Sequence, residues 1–158
     1  LHILSKNDEG LYTLEPKAVK NNLKAWLYKY KMINDTIDIV DAKIINLGIE
    51  FVAVGEQGFN KNQVLQFSVG KIIQEFANRN LEIGESLRVS DIFKILKNVD
   101  SILDVTEVRF TRKTGSQYSS IPFDIVSNSS ADGRLLVAPP DAVFEFKFPS
   151  VDIVGTIL

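Results

Sequence analysis

Apolar residues recur at three- and four-residue intervals in three stretches of the chain, which predicts three amphipathic helices. Pro16 suits the start of the first helix, Asn60 the cap of the second and Ser90 the cap of the third. The apolar positions are Val19, Leu23, Trp26, Leu27 and Tyr30 in the first; Leu65, Val69, Ile72, Ile73 and Phe76 in the second; and Ile92, Phe93, Ile95 and Leu96 in the third. We expect the first helix to bury Trp26.

Alternation with a period of two predicts the strands. Between Ile37 and Ala53 the apolar residues largely share one parity, with polar residues such as Glu50 on the other. A strand of this length predicts a bend or bulge, either around 41–43 or at Gly48. Another strand is expected around Val105 to Phe110, after the third helix. Short apolar runs at 121–126, 135–138, 143–148 and 151–158 predict a β-rich tail.

These elements predict an α+β fold, in which a mixed sheet with two to three helices forms ferredoxin-like elements and the tail adds a β-rich C-terminal extension. We assign residues 1–112 to an α/β core. Residues 113–158 are assigned to the extension, or arm, packed on the core or on a partner. The length of 158 residues is enough for one sizeable hydrophobic core.

The composition removes several classes of chemistry. The chain has no cysteine, and His2 is its only histidine. Disulfides, thiolate metal sites and the Ser-His-Asp or Cys-His arrangements are therefore excluded within one chain. The net charge of −2, from 18 basic and 20 acidic residues, gives no overall attraction to nucleic acid or to an anionic membrane. We expect no enzyme activity, no cofactor, no metal, no small-molecule substrate and no membrane partner.

The candidate polar sites have simpler structural interpretations. In an extended segment Asp38 and Asp41 point to opposite faces, so with Asp35 they are predicted to be turn and strand-edge residues and not an acid–base pair. Asp132-Gly133 lacks the alternating oxygen ligands of a calcium loop, and it predicts a hairpin turn. The segment 55–58 has two glycines but lacks the Lys-Ser/Thr of a phosphate loop.

A lysine stripe is the strongest indication of a charged ligand. Lys17, Lys20, Lys24 and Lys31 lie within about sixty degrees of one another on the first helix, beside Tyr28. Such a face could bind a polyanion or nucleic acid, which is the alternative function. We favour a solvated face or an acidic protein partner, and expect no nucleic acid, because no base-reading motif accompanies the stripe.

The aromatic residues near the C-terminal end could form an interface with a second chain. Phe144, Phe146 and Phe148 alternate with charged residues. The simplest interpretation is that the three rings lie on one face of a strand and pack on the core. The alternative is an interface with another copy, joined by Tyr118, Ile121 and Phe123. Gly70, in the middle of the second helix, is either a tolerated weakness or a point where another backbone approaches closely.

Four segments carry a family resemblance through their order and spacing. They are IGESLRVSDIFKILKNVDSILDVTEVRF (83–110), NNLKAWLYKYKMINDTIDIVDAKIINLGIEF (21–51), GSQYSSIPFDI (115–125) and ADGRLLVAPPDAVFEFKFPSVDIVGTI (131–157). Together they cover nearly the whole chain. They resemble the C-terminal region of the T-even type baseplate wedge proteins of contractile-tailed phages, within the baseplate J-like family.

The resemblance implies a structural component of a tail baseplate, in which this region dimerises and joins wedges around the hub. The implied partners are the chain itself, as a homodimer or ring, and other baseplate wedge and hub proteins. The implied location is the virion, after synthesis in the host cytoplasm. The family offers no catalytic or ligand residue to transfer. Leu1 at the first position, with Met32 as the only methionine, further indicates a C-terminal fragment of a larger protein.

Overall fold

The computed structural model describes residues 1–158, apart from the side chains of residues 77 and 78. The strands are β1 (His2–Ile3), β2 (Ser5–Lys6), β3 (Tyr12–Thr13), β4 (Val40–Asp41), β5 (Lys43–Gly55), β6 (Leu87–Arg88), β7 (Ile102–Arg112), β8 (Leu135–Leu136), β9 (Ala142–Glu145) and β10 (Ile153–Ile157). The helices are α1 (Lys17–Leu27), α2 (Lys61–Asn78), α3 (Val89–Lys97) and α4 (Pro149–Asp152). The predicted α+β class with a mixed sheet is confirmed.

Strand β5 is the centre of the main sheet. It pairs with β7 in the antiparallel sense and with β10 in the parallel sense, so that Ile49 lies opposite both Phe110 and Ile153. The first residues of β5 pair in parallel with β9, where Ile45 lies opposite Phe144. Three short two-stranded pairs, β1 with β4, β2 with β3 and β6 with β8, surround this sheet.

The alternation along β5 separates a core face from an outer face. Leu47, Ile49, Phe51 and Ala53 are buried in the main hydrophobic core. The predicted break around 41–43 is confirmed, since Ala42 separates β4 from β5, but residues 37–39, which were predicted to belong to this strand, lie outside it. The irregularities in the pairing with β7 lie further along, at 52/53 and 54/55, where the antiparallel ladder is bulged.

Helices α2 and α3 pack on the core face of the sheet. They differ in how their first residues are capped. Asn60 caps α2 as predicted, because its side-chain oxygen accepts a hydrogen bond from the Asn62 backbone N–H at 2.9 Å. The prediction that Ser90 caps α3 is wrong. The helix begins at Val89, with Arg88 at the cap position, and the buried Val89 donates its N–H to the Arg134 carbonyl oxygen at 2.9 Å.

The predicted extension, residues 113–158, contributes β9 and β10 to the central sheet and shares its core. The boundary after residue 112 therefore runs through a single hydrophobic cluster that includes Phe110, Phe123 and Phe144. Gly155 on β10 lies against Phe51, and a Cβ there would fall 2.2 Å from the Phe51 Cζ atom. Only a glycine fits between β10 and that ring.

Candidate functional site

Helix α1 is the most unusual element, because its apolar face is left uncovered. None of its described residues, 17–27, is buried, although its apolar residues gather on one side. Trp26 is 54 % exposed and contacts Tyr30 in a tilted arrangement, with an interplanar angle of 52° and a ring-centroid distance of 4.9 Å. The prediction that α1 buries Trp26 is therefore wrong for the isolated chain. Just after the helix in the chain, Met32 and Ile33 are also exposed, Ile33 to 98 %.

We call this apolar area the helix surface and define it by its most exposed large residues. They are Val19, Trp26, Tyr30, Met32 and Ile33. Contiguous exposed apolar areas on soluble proteins commonly mark interaction sites, whereas single exposed apolar residues need no explanation. The helix surface is the clearest candidate interaction site in the chain.

The lysines beside the helix surface are partly neutralised by this chain. Lys20 is hydrogen-bonded to the Asp41 carboxylate, and Lys24 Nζ lies 3.3 Å from Asp38 Oδ1. The hydrogen bond from Lys20 is the main cause that lowers the pKa of Asp41. The predicted four-lysine stripe thus includes two ammonium groups already paired with carboxylates.

Two lysines of the stripe also contact an aromatic ring. Lys31 Nζ lies 4.8 Å and Lys24 Nζ 5.8 Å from the Tyr28 ring centroid, which are cation–π distances. Lys31 in addition donates a hydrogen bond to the Asp35 carbonyl oxygen at 2.9 Å. Asp35, Asp38 and Asp41 accordingly serve separate local contacts and do not converge on one point.

The aromatic residues proposed for an interface lie mainly inside the chain. Phe144 is fully buried and meets Phe123 edge-on at 5.5 Å, and Phe146 is buried against Phe76 at 4.8 Å. Phe148, Tyr118 and Ile121 are half-buried. The simpler interpretation, packing on the core, describes Phe123, Phe144 and Phe146 in this structure.

Gly70 is exposed on α2, and a Cβ added there would meet no described atom within 4 Å. No part of the described chain therefore approaches its backbone closely. Nearby, Leu65, Val69 and Ile73 of α2 line a shallow apolar groove of about 390 Å³ together with Val151 and the edge strand β10.

A buried polar network joins segments that are distant in the sequence. The sequence patterns did not predict it. Asn46 donates from Nδ2 to Glu145 Oε2 at 2.8 Å and accepts from the Ser119 N–H at 2.7 Å. Glu145 Oε1 accepts from the Tyr12 N–H at 2.7 Å. Asn46 stands out in the sequence only as a polar residue in an apolar run. The network fastens β3 and the loop after β7 to the β5–β9 junction.

Asp152 is the second buried carboxylate, and it also holds chain segments together. Its Oδ1 accepts from the Tyr118 hydroxyl at 2.6 Å and its Oδ2 from the Phe148 N–H at 2.9 Å. The hydrogen bond to Asp152 is the largest cause that raises the pKa of Tyr118 to about 12, because it stabilises the protonated phenol. Burial, followed by the charge of Glu145, likewise raises the pKa of Tyr12.

A groove of about 570 Å³ lies between α2 and α3 and has a charged lining. Arg79 is its central group, with Nη2 2.5 Å from Glu85 Oε1 and Nη1 3.5 Å from Asp91 Oδ2. The hydrogen bond to Glu85 is the main cause that raises the pKa of Arg79. These charges satisfy one another on an open surface. Among the described residues, no group of three or more His, Cys, Asp or Glu is placed to hold a metal ion.

The sheet face opposite α2 and α3 is also partly uncovered. We call it the open sheet face and define it by the outward residues of its three strands: Glu50, Val52, Glu107, Arg109, Val154 and Thr156. Val154 is 51 % exposed. Arg109 Nη2 lies 2.6 Å from Glu50 Oε2, and Arg109 Nη1 lies 3.7 Å from Glu107 Oε1, so the face combines apolar positions with a slight acidic excess.

Within the described part of the chain, no helix combines the length and the apolar character needed to span a bilayer. Neither the family models nor the curated proteins compared with this sequence give a match. The baseplate resemblance therefore remains a prediction based on the segments quoted above.

Proposed function

We propose that this chain is a structural part of a phage tail baseplate, the C-terminal assembly region of a wedge subunit that joins wedges around the hub. The proposal combines the family resemblance with the surface features of the folded chain. Its partners would be further copies of itself and neighbouring wedge and hub proteins. No catalytic step is part of the proposed role.

The helix surface is the observation that carries this proposal. An 11-residue helix is marginally stable alone, and packing of an apolar face normally supplies its stability. In α1 much of that face, including Val19 and Trp26, stays exposed to water in the isolated chain, while Leu23 and Leu27 are half-buried. A helix of this kind is typical of a protein that completes its packing against another molecule.

The buried carboxylates support the same role. Glu145 accepts two hydrogen bonds from groups far away in the sequence, and Asp152 accepts one from the distant Tyr118 and one from the nearby Phe148. Such fully partnered carboxylates fix the relative positions of segments, and a rigid platform limits the entropy lost when a subunit docks. We infer that these polar groups stabilise a scaffold.

The test is to locate the protein in particles of a phage that encodes it. Electron cryomicroscopy of purified virions should show density for this fold in the baseplate ring, and the gene should lie among tail-tube, sheath and wedge genes. A phage carrying Trp26→Ser should accumulate tails without complete baseplates, whereas the exposed control Val126→Ser should not. Absence of the protein from the virion would contradict the proposal.

A further inference from the structure

Two uncovered surfaces of this chain have complementary properties. The helix surface is an amphipathic helix that lacks a partner, and the open sheet face is one side of a sheet whose other side is covered by α2 and α3. An amphipathic helix buries its apolar face against another element, and a sheet face is one kind of element on which it packs. The chain therefore exposes both the helix and the kind of sheet face on which a helix packs.

The charges of the two surfaces match each other. Between Lys17 and Asn34 the sequence contains five lysines and no acidic residue. Lys20 and Lys24 are paired with Asp41 and Asp38, which leaves Lys17, Lys29 and Lys31 without a carboxylate partner among the salt bridges of the described chain. The open sheet face carries Glu50 and Glu107 against a single Arg109. Two helix surfaces placed together would repel one another, while a helix surface on an open sheet face would bring lysines toward carboxylates.

The two surfaces do not meet within one chain. The contacts of Lys20 with Asp41 and of Lys24 with Asp38 hold α1 beside β4, and Trp26 and Val154 both remain about half exposed. The exposed Asp38 beside the lysines also disfavours a flat anionic membrane or a nucleic acid as the ligand. A protein surface that carries both apolar and acidic groups is the better match for the helix surface.

We propose that α1 of one copy packs on the open sheet face of the next copy, with Trp26 at the centre of the contact. This inference rests on the proposed function and specifies its self-association. The contact joins two different surfaces, so it is heterologous, and repetition of it produces a ring or an open chain of subunits. A wedge region that builds a ring needs a contact of this type.

A mixing experiment tests this arrangement, because Trp26 is the only tryptophan of the chain. Trp26→Ser removes the helix surface and all tryptophan emission, and Val154→Lys disables the open sheet face but keeps Trp26. Each variant alone should self-associate about thirtyfold or more weakly than the unchanged chain, as for a hot-spot residue. Mixed together they should form a 1:1 dimer by sedimentation equilibrium.

The emission of the mixture identifies the surfaces in contact. Only Val154→Lys carries an indole, so its emission should shift to shorter wavelength when Trp26→Ser is added. Val126→Ser, a change at an exposed apolar residue outside both surfaces, should associate like the unchanged chain. Lys17→Glu with Lys29→Glu should weaken association and make it less sensitive to salt.

Several results would overturn the inference. They are an unchanged chain that stays monomeric, a single variant that associates normally, and a mixture that does not dimerise. An emission shift of the monomer with phosphatidylglycerol vesicles would point to a lipid surface and overturn it as well. If the two mixed variants do not dimerise although the protein is located in the baseplate, only the proposed contact is wrong and the proposed function stands.

Discussion

Gly155 is the residue at which the packing leaves least room. It sits on β10 opposite Phe51, and an added Cβ would lie 2.2 Å from the Phe51 Cζ and 2.6 Å from two further ring carbons. The ring fills the core and β10 is hydrogen-bonded to β5, so neither can move without loosening other contacts.

We therefore expect Gly155→Ala to lower the free energy of unfolding by about 1–3 kcal/mol through overpacking. Urea denaturation followed by far-UV circular dichroism measures the change. Gly133→Ala is a useful comparison, since it strains a left-handed turn with φ of 67° but meets no described atom. Unchanged stability of Gly155→Ala would show that the Phe51 ring adapts easily.

Tyr118 gives a pH-dependent prediction. Its folded pKa of about 12 exceeds the ordinary value of 10, so its contribution to stability is complete below pH 10 and is lost as the pH rises toward 12. Tyr118→Phe should cost about 1–3 kcal/mol at neutral pH, because the buried Asp152 loses a hydrogen-bond donor. The stability difference between variant and unchanged chain should shrink between pH 10 and 12.

Tyr30→Phe is the matched control for that measurement, because its ring is mostly exposed. It should leave the stability at neutral pH nearly unchanged. A stability difference for Tyr118→Phe that stays constant from pH 7 to pH 12 would contradict the role assigned to the Tyr118–Asp152 hydrogen bond.

At the scale of elements, periodicity predicted most of the structure where one chain supplies both packing partners. β5, α2, α3 and β7 all appear close to their expected positions, since the residues that cover them lie in the same core. The cap position of α3 lies two residues earlier than predicted, at Arg88 and not at Ser90, because the Val89–Arg134 backbone contact is set by tertiary structure. Residues 37–39 lack strand partners, and alternation by itself does not provide a partner.

Helix α2 contains a position where substitution should be favourable. Gly70 is mid-helical and no described atom would contact its Cβ, so Gly70→Ala should raise the free energy of unfolding by up to about 1 kcal/mol through helix propensity. Thermal and urea unfolding of the monomer would detect this increase. A decrease in monomer stability would indicate that the surroundings of Gly70 are tighter than the structure shows.

At the scale of the whole molecule, the sequence predicted which residues form an apolar surface better than it predicted what covers that surface. The amphipathic pattern of α1 predicted an apolar face, but whether this chain or another one covers it depends on tertiary arrangement. The buried polar network was not predicted either, since Asn46 meets Glu145 and Tyr118 meets Asp152 from positions far apart in sequence. Local sequence patterns do not show which distant residues are hydrogen-bonded in the folded chain.

The uncovered helix predicts uneven local stability. We expect the amide protons of α1 to exchange with solvent through local opening, much faster than those of β5 and β7, because no described α1 residue is buried. Hydrogen–deuterium exchange with mass spectrometry measures this at low concentration. Protection of α1 should increase when the unchanged chain associates. Equal protection of α1 and β5 in the monomer would contradict the expectation.

The central position of β5 has a kinetic consequence. Its partner in β7 lies about sixty residues later in the chain, and its partner in β10 about a hundred residues later, so the sheet has a high contact order. Chain segments must search a large volume before these pairs form, which places refolding in the range of milliseconds to seconds. In a chain where β10 has not yet paired, the β5 edge that it covers would present unpaired backbone groups, which are sites for association with other chains.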